Sequence, residues 1–258
     1  MYKRICLIFL SALFFGNVIY ARIVNQDEAY YLRLINQNNP LPDNYEPENM
    51  INIALYVRST RSEIWMEERA GRSFIEMVNS MVLDGVEDMA AVSGFRDFSH
   101  QTTLFNRQVA RHSYLSSEEA FRRAAMVVAP PGASEHQSGL AIDVSSSQVS
   151  FALSQRFENT DAFTWLLENA HKYGFIIRYP RDKTYITGIV YEPWHLRYVG
   201  VFHAERMVEL GLVLEEYWET LEISSTLAIT TTIESENRAE EENRDGLAER
   251  IRRFLSRF

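Results

Sequence analysis

Asp143 restricts the folding of this chain more than any other residue. It interrupts the short apolar run from Leu140 to Val144, which reads as a buried strand. A carboxylate in such a strand is costly unless it is paired or metal-bound. A partner stands nearby, in the segment Ser134-Glu-His-Gln-Ser-Gly-Leu-Ala-Ile-Asp143. There His136 occupies a loop exit, Gly139 permits a tight backbone, and the alternation of side chains along the strand brings the carboxylate to the imidazole's side.

A second segment, Tyr191-Glu-Pro-Trp-His195, places a carboxylate just before another histidine on a chain stiffened by Pro193. Two imidazoles and one carboxylate leave a fourth tetrahedral position for water, which is how catalytic zinc is held. Zinc would bring the pKa of that water toward neutrality, and a nearby Glu could accept its proton. A lone histidine is more often a surface or core residue than a ligand, and Asp143 alone could cap a turn. The two segments together point instead to one metal-assisted hydrolytic centre of His136, Asp143, His195 and Glu192.

Other chemistry finds little support. The formal charge is −9, which gives no electrostatic case for a nucleic-acid partner. The chain carries no P-loop, no G-x-G-x-x-G and no strong internal repeat. Its 46% apolar and 24% charged composition is that of an ordinary globular protein.

Residues 1–21 read as a secretory signal: Lys3 and Arg4, then an apolar run from Ile5 to Phe15, then Asn17-Val-Ile-Tyr-Ala21 ending in a small residue. The protein is therefore expected to be exported to the periplasm or cell envelope. Ile19 is a poor residue ahead of a cleavage site, which leaves a retained N-terminal anchor as the alternative. Cys6 is the only cysteine and lies inside the apolar run, so a protein cleaved after Ala21 has neither disulfides nor a catalytic thiol.

Pro40, Pro42 and Pro47 make the segment from Asn39 an extended one. A helix is predicted over 71–84, with Phe74, Ile75, Val78, Met81 and Val82 on one face and Gly85 at its end. Strands are predicted over 89–95, 140–144, 175–179 and 187–191. Further helices are predicted over 116–127, opened by the capping box Ser116-Ser-Glu-Glu119, over 161–173 with Phe163, Leu166, Leu167 and Ala170 inward, and from about Val201. Without a regular β-α-β rhythm, this mixture predicts a single compact α+β domain over 22–221, with helices packed on a small antiparallel or mixed sheet.

From 222 to 258 the character changes to a Ser/Thr-rich and then acidic linker, followed by Leu247, Ile251, Phe254, Leu255 and Phe258 at helical spacing with arginines between them. That helix fits either an anionic membrane surface or docking on its own domain or a second copy.

The pattern S-x-H-x-x-G-x-A-x-D followed by E-x-W-H-x-x-Y resembles the signature of VanY-type D-alanyl-D-alanine carboxypeptidases, zinc peptidases that share the Hedgehog/DD-peptidase fold. Ser134, His136, Gly139, Ala141 and Asp143 match its first part, and Glu192, Trp194, His195 and Tyr198 its second. A third family element, S-G-[YF]-R and a glutamine, matches Ser93-Gly-Phe-Arg96 and Gln101. The resemblance covers about residues 38–217. It implies one Zn2+ on His136, Asp143 and His195, Glu192 as the catalytic base, and substrate contacts from Arg96, Gln101 and Ser134. A fixed guanidinium at Arg96 would also suit the anionic intermediate of amide hydrolysis. The substrate implied is the peptidoglycan stem peptide. An L,D-carboxypeptidase or an endopeptidase would use the same metal site, and a non-catalytic wall-binding module would be expected to lack a ligand or the base. Phe95 and Asp97 stand where many relatives have tyrosine and serine, which removes a hydroxyl near the substrate.

Overall fold

The computed structural model describes residues 26–221. The predicted signal segment 1–21 and tail 222–258 lie outside the described residues. Among the described residues no helix is long and apolar enough to cross a membrane.

The short helix α1 (Gln26–Tyr31) leads into the proline-rich segment, then to β1 (Met50–Asn52) and β2 (Trp65–Glu67), which pair antiparallel. Helix α2 (Glu68–Leu83) follows, then β3 (Met89–Ser93), α3 (Phe98–Ala110) and α4 (Ser117–Ala125). Next come β4 (Ala141–Ser146), α5 (Asp161–Asn169), β5 (Phe175–Tyr179), the single turn α6 (Thr184–Thr187), β6 (Glu192–Tyr198) and α7 (Val201–Leu210). Four strands form one antiparallel sheet in the order β3-β4-β6-β5. The α+β reading of the sequence is borne out.

The sheet has an apolar face and a polar one, as side-chain alternation requires. Leu140, Ile142 and Val144 of the β4 segment, with Leu196 and Tyr198 of β6 and Phe175 of β5, join the main core. Onto them packs the buried stripe of α2: Phe74, Met77, Val78 and Met81. Each such side chain stabilises the fold by about 1.5–3 kcal/mol through burial. Val82, expected on this stripe, is exposed, and Met77 takes the place in its stead. Leu167 of α5 is likewise exposed, while Trp165 is buried and donates from Nε1 to Asp84 at 2.8 Å. On the opposite face of the sheet lie Asp143, His195, Arg178 and Arg197.

One predicted strand is absent. Over 187–191 the chain makes the end of α6, a left-handed turn at Gly188 (φ +74°) and an approach to β6 in which Val190 N–H donates to the Met126 carbonyl at 2.9 Å and not to a strand. The Thr187 hydroxyl accepts from the Ile189 N–H at 3.3 Å, closing that turn locally instead of extending it into a ladder. The predicted strand 89–95 stops at Ser93, because the backbone beyond it is committed elsewhere. Phe95 N–H donates to the Trp65 carbonyl at 2.7 Å, and Arg96 N–H to the His136 carbonyl at 3.2 Å.

Candidate active site

The site is assembled at the centre of the sheet. Asp143 on β4 and His195 on β6 are direct cross-strand partners, so the sheet register alone brings carboxylate and imidazole together. His136 arrives from a 3-10 turn, Glu135–Ser138, that Gly139 ends with φ +72°. The Gly139 carbonyl accepts from Glu67 N–H at 2.9 Å, and a Cβ at that glycine would stand 2.9 Å from the same nitrogen. Only glycine meets both demands.

Glu192 and His195 are three apart, a spacing that puts side chains on opposite faces of a regular strand. Here Ile177 pairs with Leu196 and Tyr179 with Glu192, so β6 uses more residues than β5 over the same stretch. Pro193, with no N–H to give the ladder, lies in that bulge. The bulge re-phases the strand and turns Glu192 into the same cleft as His195, with Oε2 3.8 Å from His195 Nδ1.

The metal-binding expectation meets a fitting geometry. Among the described residues His136, Asp143 and His195 form the one cluster whose donor atoms all lie within 4.8 Å of one another. His136 Nε2 stands 3.2 Å from Asp143 Oδ2, and His195 Nδ1 stands 3.1 Å from Asp143 Oδ1. A tetrahedral ion about 2.1 Å from each donor separates donors by roughly 3.4 Å, so the set is already near the required spacing. His136 Nδ1 lies 2.7 Å from the Gly94 carbonyl. A carbonyl only accepts, so Nδ1 carries the proton and the Nε2 lone pair faces the cluster.

Burial shapes the electrostatics. It lowers His136 to about 4, aided by the nearby Arg96 charge, which keeps this imidazole neutral as a ligand must be. Burial also acts to raise Asp143, but the two histidines outweigh it and hold the carboxyl well below its ordinary value. Glu192 is pushed up to about 8 by burial, with His195 opposing and Asp143 adding to the rise. That environment makes it a stronger base than a surface glutamate.

The remaining predicted residues line the same cleft. Arg96 is partly exposed, but its Nε is buried and lacks a hydrogen-bond partner; desolvation lowers its pKa, while Asp143 and Glu192 oppose that. Gln101, on α3, donates from Nε2 to the Ala129 carbonyl at 2.6 Å and leaves its buried Oε1 without a partner. Ser134 is buried at the cleft and makes no cap hydrogen bond to the turn it precedes. Asp97 caps α3 by accepting from His100 N–H at 2.7 Å, which gives that departure from the family pattern a structural role.

Four residues of the centre escaped the sequence reading: Glu135, Arg178, Tyr179 and Arg197. Arg178 and Arg197 are fully buried charges within β5 and β6, and Tyr179 packs its ring 4.9 Å from that of His195. The signal was available, since an arginine inside an apolar strand raises the same question as Asp143.

Comparison with known proteins agrees with this geometry. The model of the VanY family, described as D-alanyl-D-alanine carboxypeptidase, matches residues 63–201. The chain is 39% identical over 196 residues to the putative carboxypeptidase YodJ of Bacillus subtilis, covering 75% of this chain and 69% of that protein. It is 35% identical to a D-alanyl-D-alanine carboxypeptidase of Enterococcus faecium, over 83% of this chain and 66% of that one. Among solved structures it is similar to the LdcB LD-carboxypeptidase, with a TM-score of 0.67 and 38% identity over 75% of this chain and 88% of that one. It is also similar to VanYB in complex with D-alanine-D-alanine, with a TM-score of 0.62 and 34% identity over 74% of this chain and 98% of that one. A mutant of the D,D-pentapeptidase VanY in complex with Zn(II) gives a TM-score of 0.60 and 34% identity, over 73% and 99%.

Proposed function

The chain belongs to the VanY family of D-alanyl-D-alanine carboxypeptidases, and from that premise we propose that it removes the terminal D-alanine of peptidoglycan stem peptides, with one zinc ion on His136, Asp143 and His195. The observation that carries this reading is the convergence in one cleft of that donor set, the buried base Glu192 and the guanidinium of Arg96. Bound there, zinc supplies the Lewis acidity that polarises an amide carbonyl and acidifies water. Glu192 takes the proton of the attacking water and delivers it to the amine nitrogen of the leaving D-alanine. Arg96, whose Nε has no partner inside the protein, meets the negative charge that develops on the carbonyl oxygen. The free Oε1 of Gln101 accepts a substrate N–H, and Ser134 offers its hydroxyl at the same wall of the cleft.

The likeness to both an LD-carboxypeptidase and D,D-peptidases makes bond selectivity the point to test. Defined pentapeptide, tetrapeptide and tripeptide muropeptides, followed by mass spectrometry, decide it. The pentapeptide should lose a single alanine and stop there, and chelator should abolish the loss. Cleavage of the tetrapeptide with an inert pentapeptide would reassign the enzyme as L,D-specific, and cleavage of a cross-bridge would make it an endopeptidase.

Export follows as part of the proposal, because such a substrate lies outside the cytoplasm and residues 1–21 have the layout of a signal. A role for residues 247–258 at a membrane surface or in self-association is tested by truncation after Leu221. Full activity with altered localisation would assign the tail to targeting.

A further inference from the structure

Glu135 has no part in the hydrolytic steps above, yet it is 1% exposed and sits against the metal centre. Its Oε1 accepts from Arg178 Nε at 2.7 Å and from Arg197 Nη1 at 2.8 Å. Neither guanidinium is free to move. Arg178 spends its other edge on Glu215, through Nη1 at 2.8 Å and Nη2 at 2.6 Å. Arg197 Nη2 donates to the carbonyls of Tyr31 and Arg33, and its Nε to that of Tyr198. Rotating the Glu135 carboxylate would strip buried cations of their partner, a change that is strongly destabilising in general. The carboxylate is thereby locked with Oε2 turned toward His195 Nε2, 3.4 Å away.

The two histidines of the centre are held in opposite senses. His136 offers Nε2 to the cluster and keeps Nδ1 on the Gly94 carbonyl. His195 offers Nδ1 toward Asp143 and turns Nε2 to Glu135. A neutral imidazole carries its proton on one nitrogen only, and the outer partner decides which one.

We propose that Glu135 is a positioning residue for His195: its Oε2 accepts the Nε2–H, which fixes the ring with the Nδ1 lone pair toward the metal, and Arg178 and Arg197 hold the carboxylate for that task. The proposal rests on the zinc reading of the site and extends it beyond the ligands.

The test separates positioning from simple structural support. In Glu135→Gln the zinc affinity, measured by competition with a chromophoric chelator, should fall about 10–100-fold, and the visible absorption of the Co2+-substituted protein should change. Glu215→Gln disturbs the same arginine cluster at its far edge and should leave both readouts as in the wild type. A folded Glu135→Gln protein with wild-type affinity and spectrum would overturn the proposal, as would equal losses in the two variants. Should Glu135→Gln not fold, 15N spectra of the zinc-loaded wild type decide. Metal on Nδ1 of His195 with a protonated Nε2 supports the assignment, and metal on Nε2 overturns it. A wild type that binds no zinc would overturn both this proposal and the zinc reading. Zinc-loaded wild type beside an unaltered Glu135→Gln protein would remove only the role of Glu135.

Discussion

Glu192 and Arg96 line one cleft, and both lie close enough to Asp143 for its charge to act on them. A planar guanidinium presents a fixed fork that an ammonium lacks. Arg96→Lys should therefore lower kcat about 10²-fold, the range seen when one oxyanion donor is removed, with a smaller effect on KM. Steady-state kinetics on a pentapeptide substrate would show it, and an unchanged kcat would remove Arg96 from the reaction. His203 on α7 gives a separate pH signature. Its Nδ1 lies 2.9 Å from the Tyr217 hydroxyl, its Nε2 is buried without a partner, and burial lowers its pKa to about 4. An unfolded histidine titrates near 6.5, so between that pH and about 4 the unfolded chain binds a proton that the folded one refuses. Stability is complete above about pH 6.5 and falls with decreasing pH, by up to about 2 kcal/mol from this residue near pH 5. Denaturant unfolding of the wild type and His203→Gln over this window should give a flatter dependence for the variant; parallel curves would contradict the assignment.

At the scale of elements, Gly139 couples the turn that carries His136 to the strand that carries Asp143. Gly139→Ala combines a left-handed backbone with a contact against the Glu67 nitrogen, and should cost about 1–3 kcal/mol in stability. It should also weaken zinc binding, because His136 must shift against Asp143. Thermal melts and chelator competition would measure the two effects, and an alanine variant with wild-type values would show that the turn tolerates the change. The same elements explain what the sequence could and could not tell. Strands with a short apolar run, such as Phe175–Tyr179, and helices with an apolar stripe, such as Glu68–Leu83, were legible. Helix α3 was not, because its buried face includes Gln101 and Gln108 and hides its period. Strand β6 was read as a motif and not as a strand, since Glu192, Pro193, His195 and Arg197 suit a central strand only through the bulge and the ion pairs of the site. Strands β1 and β2 span three residues each, too few for any period to emerge. The residues proposed as ligands, base and oxyanion donor stood out in the sequence because such chemistry needs fixed residue types, whereas the contacts of Glu135 are with partners distant in sequence.

At the scale of the whole molecule, the body formed by residues 27–217 places a metal centre between the central strands of its own sheet. Metal binding and folding are then linked, since an ion that binds only the folded state stabilises it. Saturation at about a hundredfold excess over Kd should add about 2.7 kcal/mol. Stripping zinc with a chelator should accordingly lower Tm, and added zinc should restore it; a melting curve indifferent to metal would argue against a site built into the sheet. In the proposed mechanism the carboxylate at position 192 moves the proton while three other side chains hold the metal. Glu192→Ala tests it most directly, by zinc content and turnover measured on the same preparation. One zinc per chain is expected, as in the wild type, with turnover of the pentapeptide reduced about 10²–10⁴-fold. A zinc-loaded Glu192→Ala protein that hydrolyses the pentapeptide at the wild-type rate would contradict it.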